Sequence, residues 1–475
     1  ELQAAQLVPA IDRMWSASAV KLRALARDWP AESGSPVVTV AGRYTGRGWT
    51  EWTQGFQHGS ALLQFDATGD EEFLHLGRDE TYRHMARHVT HMGVHDHGFN
   101  IGSTYGNLWR QHREGRIEMS AGELRYVELA LAASGAVQAR RWTRLADGSG
   151  FIHSFNGRHS LFVDTIRSLR SLAIAYQLGH VLLSERDEEV SLLGRLIDHA
   201  RTTDRYSLFH GQGRDTFDVR GRVAHECIFD TETGRYICPS SQQGYSPFST
   251  WTRGLAWAML GYAEQFEYVT SLGDGDLFEF GGRDEIAAMM LSAAIETCDF
   301  YIDNSPTDGV PYWDTGAPGL AALGDCLDRP SDPFNDHEPV DSSAAAIAAQ
   351  ALLRLGHLLR DVDATQAERF WAAGLTVTRT LLAEPYLSRD PQHHGLLLHS
   401  IYHRPNGWDY VPEGSSVPFG ESSMWGDYHL RELALYVGRV AGDGRYLAFF
   451  APAEADTVRP SAAVHRVGAR QAASG

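Results

Sequence analysis

The chain has 475 residues, 43% of them hydrophobic and 21% charged, with a formal net charge of −18. That composition builds a large soluble core, while the acidic balance and the lack of a Lys/Arg run argue against nucleic acid or an anionic membrane as partner. The longest apolar stretch, residues 344 to 359, is broken by Gln350, Arg354 and His357, so no membrane span is predicted.

The chain opens inside a helical pattern at Glu1, with no charged segment and apolar run before it. A leader was therefore either absent or removed. Four cysteines in so long a chain do not make a disulfide scaffold, and a cytoplasmic location is the simplest expectation, with a periplasmic or secreted one left open. One local pairing is conceivable: two β-rich runs flank Thr231-Glu-Thr-Gly234, and a hairpin closed there would set Cys227 opposite Cys238.

Taken in order, the predicted elements are helices of two alternating kinds. Amphipathic segments, polar on one face, are read at 3–27, 71–92, 119–140, 187–203, 283–303 and 364–384. Between them lie segments apolar or aromatic nearly all round, at 54–66, 102–112, 162–179, 251–268, 341–359 and 422–440. Such helices are buried ones. Six outer and six inner helices in alternation predict an all-α fold, helical hairpins closed into an (α/α)6 barrel, as one domain over 1–450. Residues 451–475 lack periodicity and are read as a tail.

Hairpin partners are antiparallel, so the inner helices all start at one end of the ring. Each is preceded by a loop rich in Gly, aromatic or reactive side chains: 49–56, His95-Asp96-His97-Gly98-Phe99, the stretch before Asp164, Gln243-Gly244-Tyr245-Ser246, Val310-Pro-Tyr-Trp-Asp314 and Gly420-Glu-Ser422-Ser423. The opposite loops are short and polar, so the first face is expected to carry function. Six helix N-termini there would also favour an anionic ligand.

Asp164 stands where a polar, aromatic loop runs into an apolar helix. There it is either an N-cap or a pocket acid whose proton is retained by desolvation. Asp96, in the neighbouring loop, is either a turn residue or its partner: two carboxylates facing one pocket split their pKa values. Arg253 and Trp257 share one face of a helix at its first turns and would enter the pocket together, unless the tryptophan fills core. The His91, His95, His97 cluster lacks a further ligand group with metal spacing, so neither metal nor cofactor is predicted, and His393, His394, His399 and His403 read as a wet loop.

Together, Gln243-Gly-Tyr-Ser, Trp251-Thr-Arg253-Gly-Leu-Ala-Trp257, His95-Asp96-x-Gly-Phe99, Val310-Pro-Tyr-Trp-Asp314, Asp341-Ser-Ser-Ala-Ala-Ala and Gly426-Asp427-Tyr428 resemble glycoside hydrolase family 88, the unsaturated glucuronyl hydrolases. The resemblance covers residues 45 to 440. It implies the (α/α)6 fold and removal of a 4,5-unsaturated uronic acid from the non-reducing end of lyase-generated oligosaccharides, by hydration of the enol ether double bond.

It further implies Asp164 as acid/base and Asp96 as the second aspartate. His225, Gln243, Arg253 and Trp257 would line the uronate subsite with Trp52, His95 and Phe155, while Ser422 and Ser423 would lie near the leaving sugar. The partner is then an oligosaccharide carrying an unsaturated uronate, bound by a monomer or homodimer. Phe155 and Gln57 stand where the family has tryptophan, Gln242 where it has histidine, and Arg167 among its small residues, which implies an altered sugar, sulfation or linkage preference. Unsaturated rhamnogalacturonyl hydrolases, a toroid epimerase or isomerase, and a non-catalytic glycan-binding barrel stay open as alternatives.

Overall fold

In a computed structural model the described residues are 2–30, 33–48 and 52–451. The tail after residue 451 and Trp49 lie outside them. Twelve main helices are numbered here in chain order: α1 (Ala4–Asp28), α2 (Gln54–Thr68), α3 (Glu71–His84), α4 (97–113, with a π-helical turn at Gly102–Gly106), α5 (Ala121–Arg140) and α6 (Thr165–Ser168 running on through Arg170–Gln177). The second half holds α7 (Leu192–Ser207), α8 (Thr252–Ser271), α9 (Arg283–Asp303), α10 (Ser342–Leu358), α11 (Ala364–Leu381) and α12 (Met424–Ala441).

The even-numbered helices pack side by side, α12 returning against α2, and the odd-numbered ones back them from outside. This is the predicted (α/α)6 ring. Its inner helices are buried on nearly every side; α8 and α10 bury almost every residue. They approach closely at glycines. A Cβ on Gly59 would stand 2.4 Å from the Ser103 carbonyl oxygen, and one on Gly98 only 2.1 Å from that of Ser168. Any side chain at either position would push α2, α4 and α6 apart.

The core of the ring is ionic as well as apolar. Arg167 pairs with Glu264 and Glu432, each at 3.1 Å, and Arg170 bridges the same two glutamates. Arg354 reaches Glu267 at 2.7 Å. Arg167 is thus turned to the ring axis, and it cannot alter sugar preference by direct contact, as the departure in its motif had implied.

Residues 446–451 close the end of the ring opposite the active-face loops. Leu447, Ala448, Phe449 and Phe450 are buried there. Arg354 donates to the Leu447 carbonyl at 2.9 Å, Tyr446 bonds Glu267, and the Arg170 guanidinium lies 5.1 Å from the Phe449 ring.

A three-stranded sheet of Ser160–Phe162, Glu226–Phe229 and Tyr236–Ser240 is added at the open end. Its register pairs Cys227 with Pro239 and Cys238 with Ile228. Cys227 is buried and Cys238 exposed, both with free thiols, so the conceivable bridge does not form. The one-residue offset puts the two sulfurs on opposite faces. Among the described residues no helix is long and apolar enough to cross a membrane.

Candidate active site

A well of about 300 Å³ opens among the inner-helix N-termini. Five of the six loops supply its wall: Arg47, Gly48 and Trp52; His95 and Asp96; Phe155 and Asp164; Gln242 and Gln243; Tyr402, His403 and Trp408. Phe99, Trp251, Arg253 and Trp257 complete it from the helices. The loop before α10 stays outside and acts as a strut, the Asp314 carboxylate accepting from the Tyr245 amide at 2.8 Å.

Asp96 and Asp164 both occupy N-cap positions, yet neither side chain caps its helix. Asp164 turns to Nε2 of His95 at 3.2 Å, and Asp96 stands 3.7 Å from the same nitrogen. The glycine contact makes this possible. Gly98 N–H donates to Ser168 Oγ at 2.9 Å, and that hydroxyl donates to the His95 carbonyl at 2.7 Å, fastening the two loops together. Asp164 itself follows directly on a sheet strand, its neighbour Val163 donating to the His225 carbonyl at 3.0 Å.

All three groups are buried, with exposures of 1% for His95, 5% for Asp96 and 8% for Asp164. Burial pushes Asp96 up to about 6, an effect the negative Asp164 reinforces and His95 opposes. Burial also acts on Asp164, but the imidazole charge and hydrogen bond of His95, with His225 and Arg253 behind, outweigh it and hold that carboxyl below its ordinary value. His95 is raised because the two carboxylates overcome its desolvation. Asp164 is thus held toward its ionised form and Asp96 toward its protonated one. The side chain nearest His95 is the more acidic one, and the cluster titrates as a unit.

Aromatic faces surround this cluster. Phe155 stacks over His95 with ring centres 5.9 Å apart, Trp257 meets Phe99 at 4.8 Å, and Trp52 is stacked on Trp425 at 4.9 Å. Gln57 lies instead in a groove beside Leu22 and Trp29, so its replacement of a family tryptophan removes nothing from the well.

Arg253 reaches the well, but its fork is occupied. Nη1 donates to Asp341 at 3.0 Å and to the Ile401 carbonyl, and Nη2 to Gln243 Oε1 at 3.0 Å and the Tyr402 carbonyl at 2.7 Å. His225 sits behind the wall, where Nδ1 accepts the amides of Gln242 at 3.0 Å and Gln243 at 3.4 Å.

The two serines are not brought to the well. Ser422 Oγ donates to the Leu397 carbonyl at 2.6 Å, and Ser423 caps α12 by accepting from Gly426 N–H at 3.1 Å. Helix capping claims Ser423 before a sugar could. The wet-loop reading also fails: His394, His399 and His403 are buried, and His403 lines the well with Tyr402 and Trp408. This strap at 401–409 was missed. Its one sequence signal is the aromatic set Tyr402, Trp408 and Tyr410 close to the charged Asp409. His97 is tied to Ser134 and the His91 carbonyl, and among the described residues no group of side chains is arranged to hold a metal ion.

A helical toroid whose inner-helix N-termini surround an aromatic well with a carboxylate–imidazole–carboxylate cluster defines the class: a ring fold with an acid–base site suited to sugars. Within it the chain is similar to the unsaturated glucuronyl hydrolases. The curated enzyme of that name from Bacillus sp. (strain GL1) is 27% identical over 402 residues, 82% of this chain and 87% of that one. An unsaturated chondroitin disaccharide hydrolase from Streptococcus agalactiae is 23% identical over 81% of this chain and 80% of its own length. The crystal structure of the Bacillus enzyme, described as responsible for the degradation of glycosaminoglycan, shares the fold, with a TM-score of 0.66 at 24% identity over 90% of this chain and 96% of that one. No protein-family model matches the chain.

Proposed function

We propose that this protein is a glycoside hydrolase that removes a 4,5-unsaturated uronic acid from the non-reducing end of lyase-generated oligosaccharides. The observation that carries the reading is the pair of uncapped carboxylates on Nε2 of His95, at the bottom of an aromatic-walled well. The names of the relatives support the substrate class.

In this reading the terminal ring enters between Trp52, Trp257 and Phe155, with Asp164 beside C4 and C5. The uronate charge raises the proton affinity of Asp164, and the proton held by His95 and Asp96 passes to it through Nε2. Asp164 then delivers that proton to C4 as water adds to C5, and its carboxylate takes the proton the water releases. The C5 hemiketal opens to a ketone by breaking the C5–O5 bond, which leaves a hemiacetal at C1; that hemiacetal collapses to an aldehyde, breaking the bond to the next sugar, which leaves with its hydroxyl. One residue serves as acid and then base, so the two-carboxylate spacing of ordinary glycosidases does not govern the site.

The test is Asp164→Asn, followed by loss of the ultraviolet band of the conjugated enoate. The variant should bind the substrate and bleach it roughly 10²–10⁴ times more slowly. Bleaching at the wild-type rate, or a wild type that bleaches no unsaturated uronate, overturns the reading.

A further inference from the structure

The well contains two guanidinium groups among its described lining residues, and they differ in how many hydrogens they leave for a ligand. All four terminal N–H groups of Arg253 are engaged, as described above. Arg47 is different. Its Nη2 donates to the Trp408 carbonyl at 3.1 Å and its Nη1 to the Gly46 carbonyl at 3.4 Å, which leaves one hydrogen on each and the Nε–H.

Position along the well decides what those hydrogens meet. His95, Asp96, Asp164 and Trp257 are buried, whereas Arg47 and Trp408 are half-exposed and form the rim. A terminal ring seated against Asp164 therefore leaves the next sugar at the height of Arg47. Trp408 packs against Tyr402 and His403, with ring centres 5.4 and 4.7 Å apart. The indole is fixed in place, offering a flat edge with one cation beside it. His403 cannot supply that charge. Burial holds it down to about 4, and its Nδ1 accepts the Asn406 amide at 3.3 Å.

We propose that Arg47, positioned by Trp408, is a specificity residue that selects leaving sugars bearing an anionic oxygen group, whether a sulfate ester or a carboxylate. The inference depends on the hydrolase reading above and adds a residue and a ligand chemistry to it. A planar fork with unspent N–H groups suits either anion, and a partly exposed pair of this kind acts mainly through KM and weakens with salt.

The experiment measures kcat/KM of wild type, Arg47→Gln and Arg47→Lys on two substrate pairs. One pair is an unsaturated uronyl-hexosamine disaccharide with and without an O-sulfate. The other has a uronic acid or a neutral hexose as leaving sugar. In one or both pairs wild type should favour the anionic member, the preference should fall about tenfold in Arg47→Gln through KM, and Arg47→Lys should keep the larger part of it. The pair that responds identifies the anion. Equal losses on both members of each pair, or a wild type indifferent to the anion, overturns the inference while leaving the hydrolase reading intact. A wild type that bleaches none of the four substrates removes the hydrolase reading and this inference with it.

Discussion

Replacing Arg253 with methionine probes the join between fold and site. The substitution leaves the fully buried Asp341 with no cation, only the Ser343, Ala344 and Ile401 amides and the Ser343 hydroxyl. It also strips donors from Gln243 and from the Ile401 and Tyr402 carbonyls. Breaking a buried pair by removing one partner costs about 3–5 kcal/mol. With about 450 described residues, an unfolding entropy of roughly 2.1 cal/mol/K per residue gives about 0.9 kcal/mol/K, so the thermal midpoint should fall by about 3–5 °C. Arg253→Lys separates stability from positioning, because a point charge can keep Asp341 but cannot span the other three acceptors. It should recover part of the midpoint, raise KM roughly tenfold, and speed hydrogen exchange at the Tyr402 and His403 amides, which donate to Asp409. Calorimetry, enoate bleaching and exchange mass spectrometry read these effects. A methionine variant that melts with wild type, or a lysine variant with slow strap amides and a large rise in KM, would refute the assignment of Arg253 to the strap and make it a direct substrate clamp.

The remaining expectations concern protons. The form of the cluster that carries a proton should be the active one, so kcat/KM should be full while His95, raised above its ordinary value, stays charged, and fall as the pH rises through that raised value. Asp96→Asn removes a negative charge that raises His95, so in that variant the alkaline limb should move to lower pH; a limb that stays or moves upward contradicts the shared-proton reading. Glu432 is buried, and although desolvation opposes ionisation, Arg170 and Arg167 hold its carboxyl well below the usual range. Its contribution is therefore present above the unfolded carboxyl value of roughly 4.3 and is lost only as pH falls through the depressed native one. Glu432→Gln should cost about 3 kcal/mol in urea titrations at neutral pH, with the two proteins converging in acid; a constant difference at all pH values would count against the ionic account.

The ring was legible because each helix announces its layer. The 192–207 segment alternates core and solvent positions at helical spacing, whereas 342–358 is apolar all round. Asp164 and Asp96 were found because a carboxylate at the mouth of an apolar helix is conspicuous. The direction of their proton sharing was not legible, since it depends on which carboxylate the His95 ring reaches first. Ser422 and Ser423 carried a motif but no sign that capping and a backbone carbonyl would claim them. The strap escaped because Tyr402 and Trp408 are placed by partners more than 140 residues away in sequence, Arg253 for the former and, through Arg47, the N-terminal hairpin for the latter. Arg167 pointed inward for a similar reason: its glutamates lie on α8 and α12.

The chain segment 446–451 gives the toroid a floor. A polymer cannot thread a vessel sealed at its base, so it must present a tip, and whatever is severed has to back out through the entrance it came by. An end unit is thus the part of a chain that can reach Asp164, and both products of a cut share one exit.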